Sequence, residues 1–427
     1  VTERDRVLSN RRAKYAMARS RQTDPRSQEA ARPDPSPARR RLLPRALPLI
    51  FLVAVTSACY LNADHEEFLF DWGAGGLDVR LREQTLGEAL ESFWQAPHKP
   101  GEQLSHVSFA LNCALNEAVG LDRFEVTSFL IVNVMIHALN ACLVYFLVRS
   151  MLSLVQPDPP VTSWLPLAAA TLFAVHPMHA SSVAYVLQRR GVLATCFYLL
   201  GVLSYLRARR WLPRGPDVAP EGHQAPQGVR SNSVWPWPRL AWAAAVPVCY
   251  WLSFKSKPLG LTLPFAILAI EFCLRARHRQ GLKRYLLAMA AGLLLCTSGM
   301  FVYLWSEGLF DPARLRILPY GPEGLWGPWA HFLTESRAFV HYWSLLLLPL
   351  PQWSCIDHSF PLSRTLFEHY AVVAVAFHSI LLALAVVAAF KRYTLAAVGV
   401  FWFYIALIPY LLLPQTELLV EYKTYLP

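Results

Sequence analysis

Residues 164–210 read WLPLAAATLFAVHPMHASSVAYVLQRRGVLATCFYLLGVLSYLRARR, and the order of chemistry along this stretch decides the class of protein. A short apolar run (162–176) breaks at His176-Pro177. A polar turn carrying His179, Gln188 and Arg189 follows, and a second apolar run (191–206) ends on Arg207, Arg209 and Arg210. Proline stops a helix because it lacks an N–H and its ring clashes with the preceding turn, whereas clustered arginines mark the point where hydrocarbon gives way to headgroups. Apolar helices joined by polar turns, with the basic residues collected on one side, are the repeating unit of a polytopic membrane protein.

The rest of the 427-residue chain agrees. It is 54% hydrophobic and only 16% charged, with a mean hydropathy of +0.30, where soluble chains carry about 25% charged residues. Aromatic residues at 13% exclude a disordered polymer, and eight cysteines in so long a chain exclude a disulfide scaffold. The net charge of +11 is no nucleic-acid signal, because residues 1–45 alone hold thirteen Lys/Arg against five Asp/Glu among Pro and Ser. That segment reads as a disordered basic cytoplasmic tail beside the membrane. The start on Val1 and the end within Tyr425-Leu426-Pro427 suggest a piece of a longer product.

A bilayer core of ~30 Å requires roughly 20 apolar residues per helix. Nine runs qualify: 46–61, 126–148, 162–176, 191–206, 240–254, 258–274, 285–305, 371–390 and 394–413. Arginine and lysine collect after the fourth run, between the sixth and seventh, and between the last two, while residues 62–125 hold twelve Asp/Glu against four Lys/Arg. The positive-inside rule therefore places the amino terminus in the cytoplasm and 62–125 outside, as a first loop with short helices. The shorter run 338–350 is expected to be re-entrant, which keeps Lys391 and Arg392 inside and leaves 306–370 largely extracytoplasmic.

With this topology the polar residues that interrupt the helix ends fall on the outer side: Asp71, His176, His179, Gln188, Arg189, Lys257, Arg337, Asp357, Glu421 and Lys423. Acids and cations gathered at one face beside apolar helices suit an amphiphile with an anionic head and a hydrocarbon tail. His176 and His179 share a helical spacing, but two histidines are half a metal site. No Gly-rich phosphate loop and no nucleophile elbow is present.

The segments also resemble, in order, a known family. His176-Pro-Met-His-Ala-Ser-Ser-Val-Ala-Tyr-Val-Leu-Gln-Arg189 resembles an HP-x-x-x-x-x-V-x-Y-x-x-Q-R pattern of bacterial membrane proteins with appended tetratricopeptide repeats. These are similar to the transmembrane and tetratricopeptide-repeat O-mannosyltransferases, polytopic enzymes of the GT-C glycosyltransferase type. Phe68-Leu-Phe-Asp71 resembles the first-loop F-x-x-D-D element, and the stretches 104–112 and 132–140 resemble the next loop helix and second span. Lys257-Pro258 with Leu263-Pro264 resembles the K-E-x-x-x-x-L-P turn, Glu335-Ser-Arg337 the Q-x-R element, and 421–427 the E-x-R-x-Y-L-P element. Several positions depart from the pattern: Trp72 for the second Asp, Glu102-Gln103 for Arg-Pro, Pro258 for Glu, and Lys423 for Arg.

The resemblance implies an all-α, GT-C-like bundle over 46–427. It implies an inner-membrane enzyme of bacterial type that transfers a sugar from a polyprenyl-phosphate donor to a hydroxyl of a protein or glycan acceptor outside, with inversion. Repeats would normally follow the membrane domain. In that scheme Asp71 is the base, because a positioned carboxylate accepts the hydroxyl proton. Arg189, Arg337 and Lys423, with Lys257 second, are the donor-phosphate partners. His176, His179, Gln188 and Glu421 position sugar or acceptor, and Glu66, Glu67 and Asp357 are secondary carboxylates. No cofactor is required by a motif; a divalent cation (Mg or Mn) stays a candidate, with its ligands unknown. The competing readings are a non-catalytic scaffold with a degenerate domain and a secondary transporter or flippase. The latter expects charges near the bilayer midplane and inverted repeats, whereas here the charges lie at an interface.

Overall fold

The structure, a computed structural model, describes residues 43–63, 81, 84–95, 101–155, 164–210, 237–276, scattered positions between 283 and 298, 327–350, 358, 360–391, 393–412 and 418–427. Two units divide it: residues 1–49, described only in the opening turns of the first helix, and residues 50–427, which hold everything else. Among the described residues every regular element is helical. In hydrocarbon each backbone N–H and C=O must be satisfied within its own segment, and a helix does so.

The helices are α1 (Leu43–Cys59), α2 (Leu86–Gln95), α3 (Gln103–Ala118), α4 (Val126–Val155), α5 (Leu165–Val175), α6 (Arg189–Arg210), α7 (Trp237–Ser256), α8 (Leu263–Ala276), α9 (Pro328–Leu347), α10 (Ala371–Phe390) and α11 (Thr394–Leu412). Helical segments at Val126–Val155, Val186–Arg209, Pro258–Ala276, Glu368–Phe390 and Thr394–Leu411 are long and apolar enough to cross a membrane. The chain is a multi-pass membrane protein of the all-α class. With 30 residues, α4 is about 45 Å long, so it tilts or projects beyond the hydrocarbon.

Two sequence expectations change in detail. The run 162–176 forms only the eleven-residue α5, about 16 Å, because His176-Pro177 ends it; short 3-10 and helical turns then carry the chain to Gln188. The run 338–350 is the second half of the 20-residue α9, whose first half carries His331, Glu335 and Arg337. Most of 285–305 lies outside the described residues.

The first-loop helices are locally encoded. Thr85 and Glu88 form a reciprocal cap at the start of α2: the Thr85 N–H donates to Glu88 Oε2 at 2.7 Å, and the Glu88 N–H donates to Thr85 Oγ1 at 3.3 Å. The Thr85 N–H holds the Glu88 carboxyl below its ordinary range. The loop is fastened to the turn between α7 and α8. Ser105 Oγ donates to the Ser256 carbonyl at 2.9 Å, and Gly101, at φ +88°, lies so near Pro258 that a Cβ would press on its ring. Gly260 makes that turn feasible, since a Cβ there would collide with the backbone of Ser253 and Phe254.

The main core joins α4, α6, α8, α9 and α11 through Tyr198, Leu206, Leu263, Ile270, Phe339, Tyr342, Phe403 and Leu407. Where α8, α10 and α11 meet, the buried residues are small: Cys273, Ala276, Ala389 and Ala397. Lipid tails are as apolar as leucine, so close van der Waals approach and polar links hold such helices together, and small residues allow that approach.

Candidate functional site

The polar motif residues fall into two classes: those that fasten one segment to another, and those that bring cations together.

Arg189 is a fastener. It is fully buried, and its Nε donates to Asn133 Oδ1 at 2.7 Å, its Nη2 to Asn112 Oδ1 at 2.8 Å and to the Phe129 carbonyl at 2.9 Å. Its Nη1 donates to the carbonyl and Oγ of Ser108 at 3.3 and 3.4 Å. The rings of Phe109 and Phe129 lie 4.5 and 5.2 Å from the guanidinium carbon. Among the described residues no carboxylate pairs with it; oriented dipoles and ring faces surround it. Arg189, expected as a phosphate partner, thus directs its N–H groups to acceptors of α3 and α4.

The carboxyl-terminal segment is fastened similarly. Asn140 Nδ2 donates to Tyr425 OH at 3.1 Å, and His137 Nδ1 meets that hydroxyl at 2.7 Å. His137 Nε2 lies 3.1 Å from the Ala174 carbonyl. A carbonyl only accepts, so Nε2 carries the proton and Nδ1 accepts from the tyrosine. Tyr342 OH bridges both the N–H and the C=O of Val420, and Trp402 Nε1 donates to the Leu426 carbonyl at 2.9 Å.

The histidine pair is buried beside this segment. His176 Nδ1 accepts from the Met178 N–H and Nε2 donates to the Leu346 carbonyl, so neither nitrogen offers a metal a lone pair. The His179 ring packs 4.6 Å from Phe173 and 4.9 Å from Tyr425. Among the described residues no three His, Cys, Asp or Glu side chains could hold a metal ion, so the half-site suggested by the spacing is not completed there. Gln188 is buried as well. Glu421 is buried with His358 Nε2 3.9 Å from its carboxylate.

The cations gather where α6 and the 257–262 turn begin. Arg190 Nη1 pairs with Glu102 Oε1 at 2.8 Å, while its buried Nε has no hydrogen-bond partner among the described residues. Next to it, a Cβ on Gly191 would lie 3.5 Å from Lys257 Nζ. Lys257 Nζ is 5.8 Å from the Tyr410 ring and 5.2 Å from that of Tyr422. Lys423 Nζ is 5.3 Å from the same Tyr410 ring; it donates to the Leu418 carbonyl at 2.9 Å and to Glu335 Oε1 at 3.4 Å. Lys423 and Glu335 are both buried, and Glu335 Oε2 has no hydrogen-bond partner among the described residues. Burial pushes the Glu335 carboxyl up to about 7, against the opposing pull of Lys423.

Of the expected phosphate partners, Lys257 and Lys423 are thus brought together. Arg337 is not: it turns to the 360–363 segment, donating to the Pro361 carbonyl at 2.7 Å and to Ser363 Oγ at 2.9 Å. Glu66, Glu67, Asp71 and Asp357 lie outside the described residues. Arg190, Glu335, Tyr410 and Tyr422 were missed as site residues. The only signal was the Arg189-Arg190 pair itself, because consecutive helical residues point about 100° apart and one of the two had to face elsewhere. A separate cavity of about 300 Å3, mostly apolar, lies between the end of α1 and the first turns of α4, lined by Tyr60, Leu130, Ile131, Val134, Met135 and Val183.

No family model and no solved structure matches the chain. It is similar to the protein O-mannosyl-transferase Tmtc2 of Drosophila melanogaster, 35% identical over 175 residues, 39% of this chain and 17% of that protein. The human protein O-mannosyl-transferase TMTC3 is 31% identical over 178 residues, 40% and 17% of the two chains. Human TMTC4 is 26% identical over 360 residues, 76% and 45%. The match spans less than half the length of these curated relatives. The chain is therefore a relative of the TMTC protein O-mannosyl-transferases over part of their length.

Proposed function

We propose that this chain is the membrane domain of a GT-C-type glycosyltransferase that moves a sugar, mannose by the names of its relatives, from a polyprenyl-phosphate donor to a hydroxyl of a protein or glycan acceptor. The observation that carries the reading is the approach of Lys257 and Lys423 to the same Tyr410 ring, with Arg190 paired to Glu102 one residue before the Gly191 that faces Lys257.

When a glycosyl phosphate breaks, negative charge grows on the departing phosphate. Cations held in place in a water-poor site stabilise that charge without reorganising. Lys257 and Lys423 supply two such ammonium groups, and Arg190 adds a guanidinium fork suited to a phosphate edge. Glu335 holds Lys423 in position before the donor arrives. Asp71 accepts the acceptor proton, and a single base acting by direct displacement inverts the anomeric centre. The loop that contains Asp71 continues into α3, whose start is tied to the cation cluster through Glu102 and Ser105. The cavity beside Tyr60, Ile131 and Met135 offers apolar walls to a prenyl chain. The active face is the outer one in this reading, at a bacterial inner membrane with the amino terminus in the cytoplasm.

The second reading, a scaffold that has lost catalysis, is favoured by one observation: the buried ammonium of Lys423 already has a carboxylate partner in Glu335. The test is release of polyprenyl phosphate by the purified full chain in nanodiscs with a polyprenyl-phosphate-mannose donor. Asp71→Asn is expected to lower turnover by about 10²–10⁴-fold with an unchanged melting temperature. Wild-type protein that releases no lipid phosphate with mannosyl, glucosyl or galactosyl donors hands the case to the scaffold.

A further inference from the structure

A second ionic cluster sits at the far ends of α6 and α8, away from every motif residue. Glu271, 6% exposed, accepts from Arg209 Nε at 2.6 Å and from Arg275 Nε at 2.6 Å, and Tyr205 OH donates to it at 2.8 Å. Both arginines are docked through Nε, the inner edge of the fork. Among the described residues no hydrogen-bond acceptor meets the terminal nitrogens of Arg275, whose side chain is 40% exposed. The Tyr285 ring, 5.0 Å from its guanidinium carbon, supports it from one side. Two guanidinium groups on one carboxylate leave a net positive charge. Because Glu271 already fixes both, a further anion would meet donors whose rotamer freedom is largely gone.

The level of this cluster in the bilayer can be read from its neighbours. Arg207, on the other side of α6, lies 5.6 Å from the Trp242 ring. Trp242 and Leu240 of α7 are both solvent- or lipid-exposed, an apolar and aromatic surface of the kind found where a span meets the headgroups. We infer that Arg209 and Arg275, preset by Glu271, form a binding site for the phosphate of an anionic phospholipid headgroup. A lipid phosphate fits better than a free one because the site lies at the ends of two apolar helices, with exposed apolar side chains at the same level.

The experiment uses the full chain in phosphatidylcholine nanodiscs with and without phosphatidylglycerol, and native mass spectrometry counts the retained lipid. Wild-type protein is expected to keep phosphatidylglycerol in preference to phosphatidylcholine. Arg275→Ala, which leaves Glu271 paired with Arg209 and Tyr205, is expected to lower that retention about fivefold, the loss of a charge-assisted fork. Arg207→Ala removes the same charge from the other side of the helix and is expected to change retention by less than about twofold. Equal loss in the two variants would mean diffuse surface charge and would overturn the site, as would no loss in either. Should Arg275→Ala fail to fold, Arg275→Lys keeps the charge and the link to Glu271 while removing the fork, and unchanged retention there also overturns the proposal. In phosphatidylcholine alone, a melting shift with millimolar inorganic phosphate equal to that with phosphatidylglycerol would reassign the site to a soluble anion.

Discussion

The two ends of α6 use the same residue for opposite purposes. At its start Arg189 is enclosed by amide, carbonyl and hydroxyl oxygens with no carboxylate paired to it among the described residues, and Arg190, one position on, pairs with Glu102. At its end, about 30 Å away along the helix, Arg209 and Arg275 share the buried carboxylate of Glu271. The first end stores charge without a counter-ion and places more of it nearby; the second closes its charge on itself and keeps only an outer edge. A buried arginine satisfied by dipoles is a joint between helices, whereas cations crowded round aromatic rings with few carboxylates form a place for an anion to enter. Number and sign of charges are similar at the two ends, and the difference lies in what the inner donors already bind.

The sharpest way to break this comparison is Arg189→Ala. It strands Asn112, Asn133 and the Phe129 carbonyl in the interior, and a loss of about 3–5 kcal/mol is expected, read as collapse of monodisperse yield and of the melting transition in detergent. A variant that keeps its melting temperature and loses only donor affinity would return Arg189 to the ligand class. Next in size is Lys423→Ala, which leaves Glu335 buried without its cation and is expected to destabilise by about 3 kcal/mol. Adding Glu335→Gln to the same chain should recover part of that loss, and the double-mutant cycle measures the coupling directly.

Smaller in stability but decisive for chemistry are Lys257→Ala and Arg190→Ala. Each is expected to lower kcat/KM for the lipid donor by about 10–100-fold, roughly 1.4–2.8 kcal/mol of transition-state stabilisation. Melting should change little, since the Arg190–Glu102 pair is partly exposed and worth about 0–1 kcal/mol. Loss of stability in place of turnover would make these residues joints as well. The least effect belongs to Arg337→Ala. It removes two hydrogen bonds to the 361–363 segment, about 1 kcal/mol each, and turnover should stay within about twofold of wild type.

Several sequence departures from the motif pattern make sense only as neighbours. Glu102-Gln103 and Pro258 are far apart in the chain, yet Gly101 packs on the Pro258 ring and Glu102 pairs with Arg190. Glu335 and Lys423 replace a Gln and an Arg of the pattern and meet each other at 3.4 Å. Other motif residues prove to be joints: Asn112 and Asn133 for Arg189, His137 and Asn140 for Tyr425. The order of motifs was legible in the sequence because each is short and local. Their division into joints and ligand candidates was not, because it depends on partners as far as 288 positions away.

What the sequence determined by itself is the all-α membrane character and the approximate ends of most helices. Hydrocarbon forces each segment to satisfy its own backbone over a length of about 20 residues, and that constraint is written in consecutive residues. It also carried the grouping of polar residues at segment ends. Only the tertiary structure decided that Arg189 faces inward while Arg190 meets Glu102, that Arg337 turns to Pro361 and Ser363, and that Glu335 meets Lys423. Each step along a helix rotates a side chain by about 100°, so which oxygen, ring or carboxylate stands opposite is fixed by the packing of other helices.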